Sequence, residues 1–154
     1  MRVLVDTNIL LRIAQPNSPQ SEEALAALDA LYAASHEMCL VPQVIYEYWV
    51  SATRPLTANG LELTVPQVQT AVEILLQNYS LLPDDPGIYT LWFDLVTTHQ
   101  VEGKQAHDAR FVASMLRHGL TDFLTFNKGH FIRFTSIRSY TPADILAGQF
   151  PAPH

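Results

Sequence analysis

Three acidic residues, Asp6, Glu47 and Asp108, and one amide, Asn127, occupy positions where oxygen donors invite metal chemistry. Asp6 closes the apolar run Val3-Leu4-Val5, and Asn127 follows Phe123-Leu124-Thr125-Phe126. Glu47 lies within Val44-Ile45-Tyr46-Glu47-Tyr48-Trp49, and Asp108 stands near the start of a helical pattern from His107 to His118. Hard cations such as Mg²⁺ and Mn²⁺ take oxygen ligands and are held by a few carboxylates together with water and substrate phosphate. A cation so held lowers the pKa of a bound water and stabilises charge on a scissile phosphate. Without it, converging carboxylates repel, and at least one shifts its pKa upward. Lys104, Arg110, Lys128 and His130 flank the acidic segments and are candidate phosphate contacts.

Each residue also has a plainer reading. Asp6 can serve only as a helix cap, and Asp108 can simply favour a helix N-terminus. Asn127 suits an ordinary turn, and the flanking cations suit a solvated surface. Glu47 is the commonest kind of helical residue, yet its apolar neighbours leave a lone charge in need of a partner.

The elements that must position these residues follow from hydrophobic spacing. Short apolar runs predict strands at Arg2 to Val5, Met38 to Val41, Leu81 to Pro83, Phe123 to Phe126 and Ser136 to Tyr140. Helical periodicity predicts a helix from Ile9 capped by Thr7-Asn8, and others from Ser21 to Tyr32, Gln43 to Thr53 and Val65 to Tyr79. Two more run from Ile88 to Gln100 and from His107 to His118, and Thr141-Pro142-Ala143-Asp144 opens a short last one. Asn59-Gly60 marks a turn. Strands alternating with helices predict one α/β domain, a parallel sheet covered on both faces. In such sheets ligands bind beyond the carboxyl ends of the strands, the edge where Asp6, Glu47, Asp108 and Asn127 are placed by this order.

Composition narrows the function further. A formal charge of −6 argues against a generic nucleic-acid binder that works by Lys and Arg alone. A bound cation reverses the local sign and reopens that possibility. The single cysteine, Cys39, sits in the run Met38-Cys39-Leu40-Val41 and reads as a buried structural thiol in a reducing compartment. The six histidines lack zinc-ligand spacing. Trp49, Trp92, Phe93 and Phe111 read as core or partner surface. Asp6 interrupts the N-terminal apolar run, so no secretory signal is read, and no apolar stretch reaches the roughly 20 residues that span a membrane. A cytoplasmic protein is expected.

The ordered motifs resemble those of the PIN-domain family. Val5-Asp6-Thr7-Asn8-Ile9-Leu10 is similar to its opening motif, and Glu47 matches the second acidic position by order and helix placement. His107-Asp108-Ala109-Arg110-Phe111-Val112-Ala113 resembles the third acidic motif, and Leu124-Thr125-Phe126-Asn127-Lys128-Gly129-His130-Phe131 resembles the last strand and loop. The resemblance runs from Arg2 to about Tyr140. It implies a three-layer α/β/α sandwich over residues 1–148, leaving 149–154 as a frayed tail. It also implies a Mg²⁺ or Mn²⁺ site held by Asp6, Glu47 and Asp108, with Asn127 adjoining and Thr7 and Asn8 positioning the site.

The implied activity is endoribonuclease cleavage leaving a 5′-phosphate and a 3′-hydroxyl. Compact single-domain members include VapC-like toxins, each held inactive by a cognate antitoxin. The implied partners are therefore RNA, an antitoxin helix in an apolar groove near the first helices, and a second copy in a homodimer. One departure stands out: where the family often has a further Asp, this chain has Asn127, which can coordinate through its carbonyl but brings no charge. A second metal would be held more weakly. Two alternatives follow, a non-catalytic PIN module that binds RNA or protein, and a phosphatase with Asp6 as nucleophile. The latter needs a carboxylate where Asn8 stands.

Overall fold

The computed structural model describes residues 1–152. Five short strands build one sheet: β1 (Arg2–Val5), β2 (Glu37–Leu40), β3 (Ser80–Leu81), β4 (Asp122–Leu124) and β5 (Arg138–Tyr140). Their order is β3-β2-β1-β4-β5, and every pairing is parallel. Seven helices join them: α1 (Thr7–Ile13), α2 (Pro19–Ala33), α3 (Pro42–Thr53), α4 (Val65–Asn78), α5 (Pro86–Thr98), α6 (Gln105–Arg117) and α7 (Pro142–Leu146). Two 3₁₀ turns, Leu56–Ala58 and Lys128–Phe131, complete the set.

Both faces of the sheet are covered, and its central strands are mostly apolar. Val3, Leu4, Val5, Cys39, Leu40, Phe123 and Leu124 are all essentially inaccessible to solvent. Cys39 is thus the buried thiol its neighbours predict, and burial pushes its pKa up to about 11. The helices pack in two groups, α1 to α4 with α7, and α5 with α6 and the second 3₁₀ turn. Right-handed crossovers put these groups on opposite faces, because the chain steps outward from β1 to β3 and then returns to β4. The expected three-layer α/β/α architecture is observed.

Several boundaries differ from the sequence reading, each for a local reason. The first helix begins at Thr7, not Ile9, with Asp6 itself at the cap position in extended geometry. The fourth strand is Asp122–Leu124 and stops before Thr125, whose side chain is instead drawn into the site. Asp122 is the first residue of that strand; it lies at the opposite end from the site, 1% exposed, with its Oδ1 2.9 Å from Arg138 Nη2. The third strand is Ser80–Leu81, ending before Pro83. Helix α5 begins at Pro86, where the Asp85 carboxylate accepts from the Gly87 N–H at 2.7 Å.

At the chain's end Phe150 stacks on His36 with ring centroids 6.4 Å apart, and Pro151 is buried. Residues 153 and 154, part of the tail expected to fray, lie outside the described residues. Among the described residues, no helix is long and apolar enough to cross a membrane.

Candidate metal centre

The sheet order reverses between β1 and β4: one half of the chain builds outward from β1 and the other from β4. Loops diverge at such a point and leave a crevice at the carboxyl edge. Asp6 leaves β1 there, its N–H donating to the Leu124 carbonyl at 2.9 Å. Thr125 leaves β4 beside it. An open cavity of about 920 Å³ forms at this edge, and Asp6, Glu47, Asp108 and Asn127 all line it.

Each acidic side chain is placed by a different element. Asp6 is 7% exposed, and its Oδ2 accepts a hydrogen bond from the fully buried Thr125 hydroxyl at 2.7 Å. Glu47 projects from α3, a helix started by Pro42 in its first turn, where the missing N–H is not needed. Both of its carboxylate oxygens are held: Oε2 accepts from the Thr7 hydroxyl at 3.1 Å, and Oε1 from Gln43 Nε2 at 3.0 Å. Asp108 lies in the first turn of α6, where the helix dipole favours a negative charge. That turn is pinned twice, by Trp92 Nε1 donating to the Ala106 carbonyl at 2.7 Å and by Gln43 Nε2 donating to the His107 carbonyl at 2.9 Å.

The carboxylates feel one another. Burial pushes the Asp6 carboxyl up to about 6, and the charges of Glu47 and Asp108 add to the rise. The Thr125 hydroxyl and the Thr7 backbone N–H pull it partly back. Asp108 is raised as well, again by burial first, with the Glu47 charge adding and the imidazoles of His130 and His107 opposing. This is the conflict expected of converging carboxylates, with desolvation as its larger part.

The remaining candidates divide into two groups. Thr7, Asn8, Lys104 and Arg110 line the cavity. Asn8 ties the two strand ends together: Nδ2 donates to the Thr125 hydroxyl at 3.3 Å, and Oδ1 accepts from the Phe126 N–H at 3.2 Å. Arg110 is not free, since its Nη2 lies 3.1 Å from Asp84 Oδ2 and its Nη1 donates to Gln43 Oε1 at 3.4 Å. His130 stands outside the lining, with Nδ1 3.6 Å from Asp108 Oδ2. Lys128 points elsewhere and pairs with Asp144 at 2.6 Å.

Two residues of the site escape sequence reasoning. Thr125 looks like one more strand residue, and Gln43 like the first turn of an amphipathic helix. Both are buried polar side chains that complete hydrogen bonds from elements far away in the chain. For Gln43 the one available signal is its spacing of four from Glu47, which puts both on one helix face.

The donor set suits a hard cation: carboxylate, amide and hydroxyl oxygens, with no thiolate in the cavity lining. Among the described residues, no three His, Cys, Asp or Glu side chains gather closely enough to hold an ion by themselves.

Known proteins carry the same architecture. The crystal structure of VapBC2 from Rickettsia felis bound to a promoter DNA fragment superposes with a TM-score of 0.70 at 15% identity, covering 92% of this chain and 98% of that one. FitAcB from Neisseria gonorrhoeae aligns with a TM-score of 0.63 at 24% identity over 92% of this chain and 98% of its own. In sequence, Ribonuclease VapC24 of Mycobacterium tuberculosis is 26% identical over 140 residues, which is 90% of this chain and 94% of the relative. The PIN-domain family model matches residues 3–136, a stretch that holds Asp6, Glu47, Asp108 and Asn127 together with both strands of the crevice. By that match, this chain belongs to the PIN-domain family.

Proposed function

We propose that this protein is a divalent-metal-dependent endoribonuclease and the toxin of a toxin–antitoxin pair. One observation carries the reading: Asp6, Glu47 and Asp108 line one cavity at the sheet's reversal point, where the charges of Glu47 and Asp108 add to the burial that raises Asp6, and the charge of Glu47 adds to the burial that raises Asp108. A bound Mg²⁺ or Mn²⁺ would remove that conflict, acidify a water and neutralise charge on a phosphate. Asp6, Glu47 and Asp108 would hold it together with bound water, and Asn127 would add a neutral oxygen. The rest of the chain's work is positioning. Thr125 holds Asp6, while Thr7 and Gln43 hold the two oxygens of Glu47, so little reorganisation accompanies the reaction. Lys104 lines the same cavity and would meet a substrate phosphate.

The reading also includes a cognate antitoxin, in keeping with similar complexes such as VapBC2 and FitAcB. Tyr46 and Val50, 62% and 54% exposed, stand beside Leu11 on the cavity's apolar wall. An amphipathic helix seated on them by its apolar face would shut the cavity. A homodimer in solution belongs to the same proposal, and sedimentation of the purified chain checks it.

The test is cleavage of RNA by purified protein. Cutting that requires Mg²⁺ or Mn²⁺ and stops in Asp6→Asn supports the enzyme; metal-independent cutting by Asp6→Asn refutes it. A non-catalytic PIN module is the second reading, favoured by the neutral Asn127. Calorimetry separates the two, because that reading expects no Mn²⁺ uptake.

A further inference from the structure

The nine Lys and Arg side chains differ in what they meet. Arg110, Arg117, Lys128 and Arg138 face carboxylates of Asp84, Asp85, Asp144 and Asp122 at 3.1, 2.7, 2.6 and 2.9 Å. Arg12 and Arg54 are held differently. Arg12 Nη1 donates to Gln15 Oε1 at 3.0 Å, and Arg54 Nη2 donates to Ser51 Oγ at 3.2 Å. In both cases a neutral acceptor three residues away orients the guanidinium and leaves its charge intact. Arginine has five N–H donors, so each keeps most of its fork for another ligand.

Both arginines line a second groove, of about 540 Å³, between α1, the end of α3 and the turn that follows. Asn8, Gln15, Ser51 and Asn59 supply its neutral polar walls. Among the described residues, no Asp or Glu lines it, although the chain carries 15 of them. The groove runs into the carboxylate cavity: Asn8, Leu11, Ser51 and Arg54 line both. Lys104 stands in the lining of that cavity too.

The groove wall is built into the fold. After α3 the chain turns back, so that the Ser51 carbonyl accepts from the Leu61 N–H at 3.1 Å and the Arg54 carbonyl from the Glu62 N–H at 2.9 Å. A Cβ on Gly60 would fall 2.0 Å from the Arg54 carbonyl oxygen, so only glycine permits the close approach. The turn therefore fixes the backbone that carries Arg54.

We propose that this groove is the track for single-stranded RNA next to the cleavage site, with Arg12 and Arg54 binding its backbone phosphates. The proposal rests on the nuclease reading above and adds where the rest of the substrate lies. Bidentate guanidinium contacts suit phosphate oxygens, and neutral amides and hydroxyls suit ribose hydroxyls. An acidic segment of a protein partner would satisfy the same two arginines, and that is the outcome to be separated.

The experiment measures binding of fluorescein-labelled single-stranded RNA of about 12 nucleotides to the full chain, with Ca²⁺ in place of Mg²⁺, across a salt series. Arg12→Gln and Arg54→Gln should each weaken binding several-fold and reduce the slope of log K against log salt by about 0.7. Arg12→Lys and Arg54→Lys should largely restore that slope. Arg2→Gln, which removes an equal charge from a side chain donating to the His118 carbonyl, should change neither quantity. Glutamine variants that match wild type in affinity and slope overturn the track, and if they lose antitoxin capture instead, the groove belongs to the protein partner. RNA bound through Arg12 and Arg54 but never cut with any metal refutes the nuclease reading alone. Metal-dependent cutting with an unaltered slope in both variants refutes the track alone.

Discussion

The Thr125 hydroxyl donates to Asp6 Oδ2 at 2.7 Å, joining residues 119 apart in the chain across the point where the sheet reverses. The same hydroxyl oxygen accepts from Asn8 Nδ2 at 3.3 Å and from the Asn127 N–H at 3.0 Å. One buried side chain thus holds the ends of β1 and β4 in register with each other. Thr125→Val keeps the shape and removes the hydroxyl. It should cost about 1–3 kcal/mol of stability, because buried donors lose their acceptor and Asp6 loses its donor. It should also raise the Asp6 pKa further and move the acid limb of the cleavage–pH profile upward. Denaturant titration and the pH profile check both, and Thr125→Ser should restore them. An unmoved acid limb would count against Thr125 as the residue that holds Asp6 ionised.

Asp6 contributes to the pH dependence of the metal-free fold. Its folded pKa is raised from 3.8 to about 6, so the folded state binds this proton more tightly than the unfolded state does. Stability from this group is therefore lost as pH rises from about 4 to about 6, and the penalty is complete above that window. Asp6→Asn should stabilise the metal-free protein at pH 7.5 by roughly 1–3 kcal/mol and have little effect near pH 4. With Mn²⁺ present the order should reverse, since wild type gains from metal binding and the variant does not. Melting curves in EDTA and in Mn²⁺ at both pH values test this. A metal-free variant less stable than wild type at pH 7.5 would contradict it.

Gln43 makes three contacts whose orientation admits no flip. Its amide N–H groups face the Glu47 carboxylate and the His107 carbonyl, which only accept, and its oxygen faces Arg110, which only donates. Gln43→Leu should weaken Mn²⁺ binding by about 10- to 100-fold, the usual effect of removing a residue that orients a ligand. Calorimetry reads that loss directly, and a variant with wild-type affinity would leave Gln43 a purely structural residue.

Asn127 lines the cavity without adding charge. Asn127→Asp should tighten Mn²⁺ binding and, if a second ion enters, raise the stoichiometry seen by calorimetry. In the metal-free protein it should raise the Asp6 pKa further, as a like charge nearby does. Unchanged affinity and stoichiometry would place residue 127 outside the metal's reach.

Much of the architecture was legible in the chain itself. Apolar runs of three or four residues alternate with helical periodicity, and for them a parallel, doubly covered sheet is the arrangement that buries both faces. The order of Asp6, Glu47, Asp108 and Asn127 along those elements marked the carboxyl edge, because strand ends and helix starts are local properties. Element boundaries were less legible. Thr125 continues an extended apolar run, and nothing nearby in sequence says that its hydroxyl will leave the strand for Asp6.

Only the tertiary structure decided which polar groups meet. Gln43 reaches Arg110 at a separation of 67 residues, and Lys128, so close to Asn127 in sequence, turns away to Asp144. Side-chain partners are chosen by packing across elements, and desolvation acts only once that packing exists. The elevated Asp6 pKa and the uncancelled charges of Arg12 and Arg54 therefore belong to the folded chain, while the types and order of the residues that create them belong to the sequence.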